Sequence, residues 1–98
     1  MKTITARPES NGNQHFVLKV GSEPIMIDFI SQIDDIMISS PDGDVLVAWD
    51  SLEWKDDECM IVREGDKLKE INNLRCTKFL MRSKNEETLT VYLTSQRN

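Results

Sequence analysis

The chain has few of the residues that carry most enzyme chemistry. It holds one histidine, His15, and two cysteines, Cys59 and Cys76, in 98 residues. Neither cysteine sits in a Cys-x-x-Cys or Cys/His spacing, so zinc binding and dithiol redox chemistry have no sequence basis. A lone histidine works as a base only with a nucleophile and an orienting group at hand. His15, opening an apolar stretch beside Phe16, reads instead as solvated surface. There is no phosphate-cradling glycine loop and no Gly-x-Ser-x-Gly elbow. Carboxylate pairs of the glycosidase kind stay open, because distant strands can assemble them. A compact sandwich of this length nevertheless leaves little room for a deep cleft. We expect no enzyme and no cofactor.

Long apolar runs are also missing. Nothing approaches the eighteen or so consecutive apolar residues of a membrane helix, and Met1–Pro8 lacks the apolar centre of a secretory signal. The expected surroundings are a reducing cytoplasm, with the two cysteines as free, buried thiols rather than a disulfide. Positive charge is scarce as well: Lys and Arg total 12 against 17 Asp and Glu, a net charge of −5. A phosphate backbone would be repelled, and the basic pairs Lys67/Lys69 and Arg75/Lys78 are interleaved with Glu64, Asp66 and Glu70. Nucleic acid and membrane are therefore not expected partners.

Short alternating strands fill the sequence instead. In Thr88–Thr94, Leu89, Val91 and Leu93 point one way and Thr88, Thr90, Tyr92 and Thr94 the other, the pattern of a strand with one buried face. With Cys76–Ser83 before it and Lys84–Glu87 between, this stretch reads as a C-terminal β-hairpin. Strands are also expected at His15–Val20, Ile25–Ile30, Asp35–Ser39, Val45–Trp49, Cys59–Arg63 and Leu68–Ile71. Ser40-Pro41-Asp42-Gly43-Asp44 is a turn signal that would fold Val45–Trp49 back onto Asp35–Ser39 as a second hairpin, Gly43 supplying a positive φ. Ser31–Asp34 reads as a connection, with at most one helical turn over residues 30–33. No stretch keeps apolar residues at three-and-four spacing for a dozen residues. Seven to eight short strands without a long helix give an all-β, antiparallel β-sandwich or jelly-roll-like domain over residues 15–98. Residues 1–14 precede it as a polar arm, with Pro8 and Gly12 bracketing a loop.

At 98 residues a single core of this kind buries roughly 65% of the unfolded surface. Asp42 and Asp44, with Asp34 and Asp35 upstream, offer oxygen ligands of the sort calcium takes, but the EF-hand spacing is absent. A turn in which the aspartates bond backbone is the expectation there, and Asp56-Asp57-Glu58 reads as a solvated loop. Trp49 follows Val45 and Val47 in register and belongs to the core. Trp54, flanked by Glu53, Lys55 and Asp56, suits an exposed interface anchor as well as it suits a core.

The cadence of Asp35–Ser39, Arg63–Leu68, Phe79–Ser83 and Thr88–Leu93 resembles that of small bacteriophage virion proteins used for capsid decoration, head–tail joining or fibre attachment. The resemblance covers about the last two-thirds of the chain and carries no catalytic or ligand motif. It implies a non-enzymatic structural protein, made in the host bacterial cytoplasm and resident in the virion. Such a protein would assemble with itself or with capsid or tail proteins. Its interface would draw on Ile4 and Arg7 of the arm, Trp54 and Tyr92, the arm adding to a sheet edge. A competing expectation is a small acidic adaptor or inhibitor steered onto a basic surface of a host or regulatory protein. A third, a carbohydrate-binding sandwich, would need an exposed platform built from the two Trp and one Tyr.

Overall fold

A computed structural model describes residues 1–7 and 13–97. Among these, nine strands form two packed sheets: β1 (Lys2–Thr5), β2 (Asn13–Val20), β3 (Ile25–Ile33), β4 (Asp35–Ser39), β5 (Val45–Trp49), β6 (Met60–Val62), β7 (Lys69–Ile71), β8 (Cys76–Ser83) and β9 (Leu89–Gln96). The five-stranded sheet runs β1-β3-β8-β5-β6 and the four-stranded sheet β2-β9-β4-β7. Pairing is antiparallel throughout except for β1 on β3, which is parallel. The protein is an all-β sandwich, as its alternation implies. The only helical element described is a 3-10 turn at Asp56–Glu58, not one at residues 30–33. Ser31–Asp34 is not a free connection either, because β3 continues to Ile33 through an irregularity between Asp28 and Ile33.

The arm does not stand apart from the domain. Lys2–Thr5 pairs with Ile25–Asp28, and Asn13 and Gln14 already belong to β2. The loop expected between Pro8 and Gly12 lies outside the described residues.

Both expected hairpins are corrected. β8 lies in the five-stranded sheet and β9 in the four-stranded one, and the same holds for β5 and β4. Each connection is an arch from one sheet to the other. The reason is visible in the neighbours: β8 is flanked by β3 and β5, and β9 by β2 and β4, so neither has a free edge for the other. Alternation says which side chains face inward, but an arch satisfies it as well as a hairpin does. Among the described elements, β5 and β6 form the one hairpin of sequential strands.

The core sits between the sheets. Ile25, Ile27, Phe29, Val45, Val47, Phe79 and Met81 of one sheet meet Val20, Ile36, Ile38, Leu89, Val91 and Leu93 of the other, all buried. Phe16 packs edge-to-face on Phe29 across the layers, with ring centroids 5.8 Å apart. Trp49 is half-buried against the core and stacks on Phe79 at 6.2 Å, as its register implies. Leu46 and Leu80 are also buried but belong to the opposite, outer face of the five-stranded sheet, since Leu80 pairs with Ala48 and Leu46 with Arg82. Something must cover them there.

Candidate functional site

The long β5–β6 connection, residues 50–59, reaches this outer face at Arg82. Its indole, Trp54, lies under the guanidinium of Arg82, 5.7 Å from the ring centroid, and Arg82 neighbours Leu46 on the outer face. Asp56 Oδ1 accepts three bonds: from Trp54 Nε1, from Arg82 Nε at 3.1 Å and from Arg82 Nη2 at 2.9 Å. The indole bond first, and then the guanidinium, hold the Asp56 carboxyl below the ordinary carboxylate range. Further contacts fix the remainder of the loop. Asp50 donates its backbone N–H to Lys78 O and accepts from the Thr77 N–H. Ser51 Oγ donates to Glu53 O, Cys59 Sγ donates to Asp56 O, and Lys55 pairs with Glu58.

This clamped loop is acidic. Asp50, Glu53, Asp56, Asp57 and Glu58 face a single cation of the loop, Lys55. Leu52, between Ser51 and Glu53, is 72% exposed. A large apolar side chain exposed on a hydrogen-bonded, charged loop is the composition of an interface anchor with a polar rim.

Backbone geometry marks the end where this loop leaves β5, whereas its latch partner Arg82 lies near the finish of β8, beside Leu46. Four non-glycine residues adopt left-handed φ: Ile30 (68°), Asp50 (56°), Asn73 (58°) and Arg75 (48°). Strand directions place all four at the end where β3, β5 and β7 finish and β8 begins. Left-handed Asn and Asp are tolerated; a β-branched Ile is a steric outlier. Ile30 is nevertheless 56% exposed, held by its N–H donating to Asp28 Oδ1 at 2.9 Å. The opposite end, with Gly21, Gly43 and Gly65 in its turns, has no left-handed residue among those described. Gly43 therefore supplies space rather than the positive φ expected of it. A Cβ there would come within 2.8 Å of Leu89 Cδ2. Of the four, Ile30 is the clear steric outlier, and backbone strain of that kind is found at working surfaces.

The four residues expected at an interface are scattered. Ile4 is half-buried on β1 beside Ile27 and packs on the core. Arg7 is exposed, its carbonyl accepting from the Gln14 side chain. Trp54 is half-buried, a brace for the loop, and Tyr92 is exposed on the outer face of the four-stranded sheet. Trp54 and Tyr92 thus stand on opposite faces of the sandwich, and no shared aromatic platform for a sugar forms from them and Trp49. Ile30 and Leu52 were not singled out from the sequence. An isolated leucine in an acidic stretch was the available signal for Leu52; an isoleucine in a strand-like run gave none for Ile30.

The remaining polar candidates resolve simply. His15 is exposed and bonds Thr94 Oγ1 through Nδ1 at 2.9 Å. Asp42 accepts from the Thr90 N–H and Asp44 from the Glu64 N–H, while Asp35 accepts from Asn73 N–H at the far end of β4. The two acidic pairs are thus a strand's length apart. No group of three or more His, Cys, Asp or Glu side chains able to hold a metal occurs among the described residues. Both cysteines are free, Cys76 buried and Cys59 half-buried. Two shallow clefts flank β6. One of about 250 Å³ is lined by Val47, Ala48, Trp49, Glu58, Cys59 and Met60, and the other, of about 410 Å³, by Ile61, Arg63, Asp66 and Lys69. No described helix is long and apolar enough to cross a membrane.

No protein-family model matches the sequence, and no curated protein matches it. Solved structures share the fold. A cupin-2 domain containing protein from Shewanella frigidimarina aligns with a TM-score of 0.54 at 16% identity, over 92% of this chain and 76% of that one. Protein NMB1881 from Neisseria meningitidis aligns with a TM-score of 0.52 at 18% identity, over 91% and 79%. PliG of Aeromonas hydrophila, a periplasmic lysozyme inhibitor of g-type lysozyme, aligns with a TM-score of 0.55 at 12% identity, over 97% and 96%. At such identities the likeness is one of fold alone.

Proposed function

We propose that this chain is a non-enzymatic binding module that inhibits or adapts another protein by seating its acidic β5–β6 loop against a basic surface. The observation that carries the reading is the loop itself: five carboxylates between Asp50 and Glu58, an exposed Leu52 among them in sequence, and a brace of Trp54, Asp56 and Arg82. A loop tied down by such bonds has less freedom to lose on binding, which favours a preorganised contact. Negative charge speeds encounter with a basic partner, and Leu52 and Ile30 provide apolar contact at the centre. The fold shared end to end with an inhibitor of g-type lysozyme makes that enzyme the first partner to test. The cadence that resembles virion proteins is one that any two-sheet sandwich shows, so it does not favour virion assembly over this reading.

The test is hydrolysis of a bacterial cell-wall suspension by g-type lysozyme as the chain is titrated in. Stoichiometric loss of activity is expected, weakening with added salt and abolished in Leu52→Asp. An unchanged rate with the chain in large excess overturns the inhibitor reading for this enzyme class. Inhibition that survives Leu52→Asp overturns the assignment to the loop.

A further inference from the structure

Each sheet has two edges, and unpaired edges invite pairing with other chains unless they are shortened, charged or covered. In the described structure three of the four edge strands are short: β1 has four residues, and β6 and β7 have three each. The fourth, β2, runs for eight residues, all in register with β9 on its inner side. It contains no proline or glycine, and Lys19 is its one Lys, Arg, Asp or Glu.

The side chains on β2 sharpen the contrast. Lys19 Nζ donates to Thr90 Oγ1 at 2.6 Å, and His15 Nδ1 bonds Thr94 Oγ1 at 2.9 Å. Both partners belong to β9, so the polar groups flanking the strand centre are drawn back over their own sheet. Val17 is left between them at the edge, 69% exposed, beside Tyr92 at 49%. On the inner face Phe16 is only half-buried, although it packs on Phe29 of the core. A core aromatic left partly open on a strand whose outer edge no described strand pairs is an unfinished layer.

We infer that β2 pairs antiparallel with β2 of a second copy of this chain, about a two-fold axis through Val17. The strand is suited to itself. Residues facing one another across such an axis must share a face, so Val17 meets Val17, Phe16 meets Leu18, and Lys19 meets His15 rather than another Lys19. The pairing covers Phe16 from the side, joins the two four-stranded sheets into one of eight strands, and is isologous and closed. Because the paired strands run in opposite directions, the two acidic loops lie towards opposite poles of the dimer. The inference stands independently of the role proposed for those loops.

Light scattering across a concentration series tests it, with cysteine cross-linking in a Cys59→Ser background to locate the contact. The expected mass is twice the 11.3 kDa of one chain, returning to that of one chain in Val17→Lys, which sets two cations against each other on the axis. Val17→Cys is expected to form a disulfide-linked dimer on mild oxidation, since facing residues across an antiparallel pair lie ~4.5–5.5 Å apart at Cα, within disulfide reach. Leu52→Cys, equally exposed but remote, is expected to stay single. A single-chain mass at every concentration overturns the inference, as do equal cross-linking rates for the two cysteine variants. If Val17→Lys loses its β-sheet circular dichroism, the cysteine comparison alone decides.

Discussion

The guanidinium of Arg82 covers the indole of Trp54, and both donate to a single carboxylate oxygen of Asp56. This three-residue latch ties a strand of the five-stranded sheet to the loop that crosses its outer face. A cation over an indole contributes ~0.5–1 kcal/mol at partly exposed sites. Arg82→Ala is expected to lower stability by about that amount through loss of the stack, and to shift Trp54 fluorescence to longer wavelength as the ring becomes wetter. A shift without change in overall sheet content, followed by circular dichroism, would locate the effect in the loop.

The latch has a pH dependence whose sign follows from Asp56. Its carboxyl titrates below the ordinary value of 3.8 in the folded chain, because the Trp54 and Arg82 bonds favour the charged form. The contribution of a depressed carboxylate is present above its unfolded value and is lost as pH falls through the folded one. Trp54 emission is therefore expected to stay constant through neutral and mildly acidic pH and to change only below 3.8. In Asp56→Asn that acid transition should disappear, with the loop loosened at all pH values. A wild-type transition near neutrality would contradict the geometry.

At the alkaline end the relevant group is Cys76. Burial, and then the nearby negative charge of Asp50, push its thiol from 9.0 up to about 12. A raised acid pKa means that the unfolded chain loses its proton first, so stability holds below pH 9.0 and falls as pH rises from there towards about 12. Cys76→Ala should flatten that decline. In the native protein at neutral pH a thiol reagent is expected to reach half-buried Cys59 quickly and Cys76 only in denaturant.

Much of this fold can be read from alternation. Leu89, Val91 and Leu93 face the core, Trp49 stacks half-buried against it, and the strand spans from Asp35 to Trp49 agree with their apolar runs. Pairing is a different matter, because period-two patterning fixes the face of a strand and leaves its neighbours open. The clue to the two arches was that β8 is apolar on consecutive positions, Phe79-Leu80-Met81, which requires cover on both faces and a central place in its sheet. The candidate site was least legible. Leu52 is conspicuous only once its exposure on the latched loop is known, and Ile30 only once its φ is known.

The Ser40–Asp44 arch offers a direct check on packing. Gly43 does not use a positive φ, yet a methyl group there would press on Leu89 Cδ2 at 2.8 Å and Glu87 Oε1 at 2.9 Å. The Glu87 side chain is exposed and Leu89 is buried in the core, so the leucine is the neighbour that resists an added methyl. Overpacking of this kind costs ~1–3 kcal/mol. Gly43→Ala should therefore lower the unfolding midpoint in urea with an unchanged slope, and the double change Gly43→Ala with Leu89→Val should recover part of the loss. Full stability in Gly43→Ala would mean that the arch shifts freely.

Ile30 separates stability from binding. An L-residue in left-handed backbone carries a penalty of ~1–2 kcal/mol, which asparagine bears more easily because its short side chain bonds locally. The Ile30 side chain is 56% exposed and contributes little burial in return. Ile30→Asn is therefore expected to stabilise the chain by up to ~1 kcal/mol, measured by urea denaturation. If the strained end is the binding surface, the same variant should bind and inhibit more weakly, the trade expected where strain serves function. A variant that is both more stable and fully active would show that Ile30 lies outside the contact, leaving Leu52 as the anchor; a less stable one would show that the left-handed turn depends on the isoleucine side chain itself.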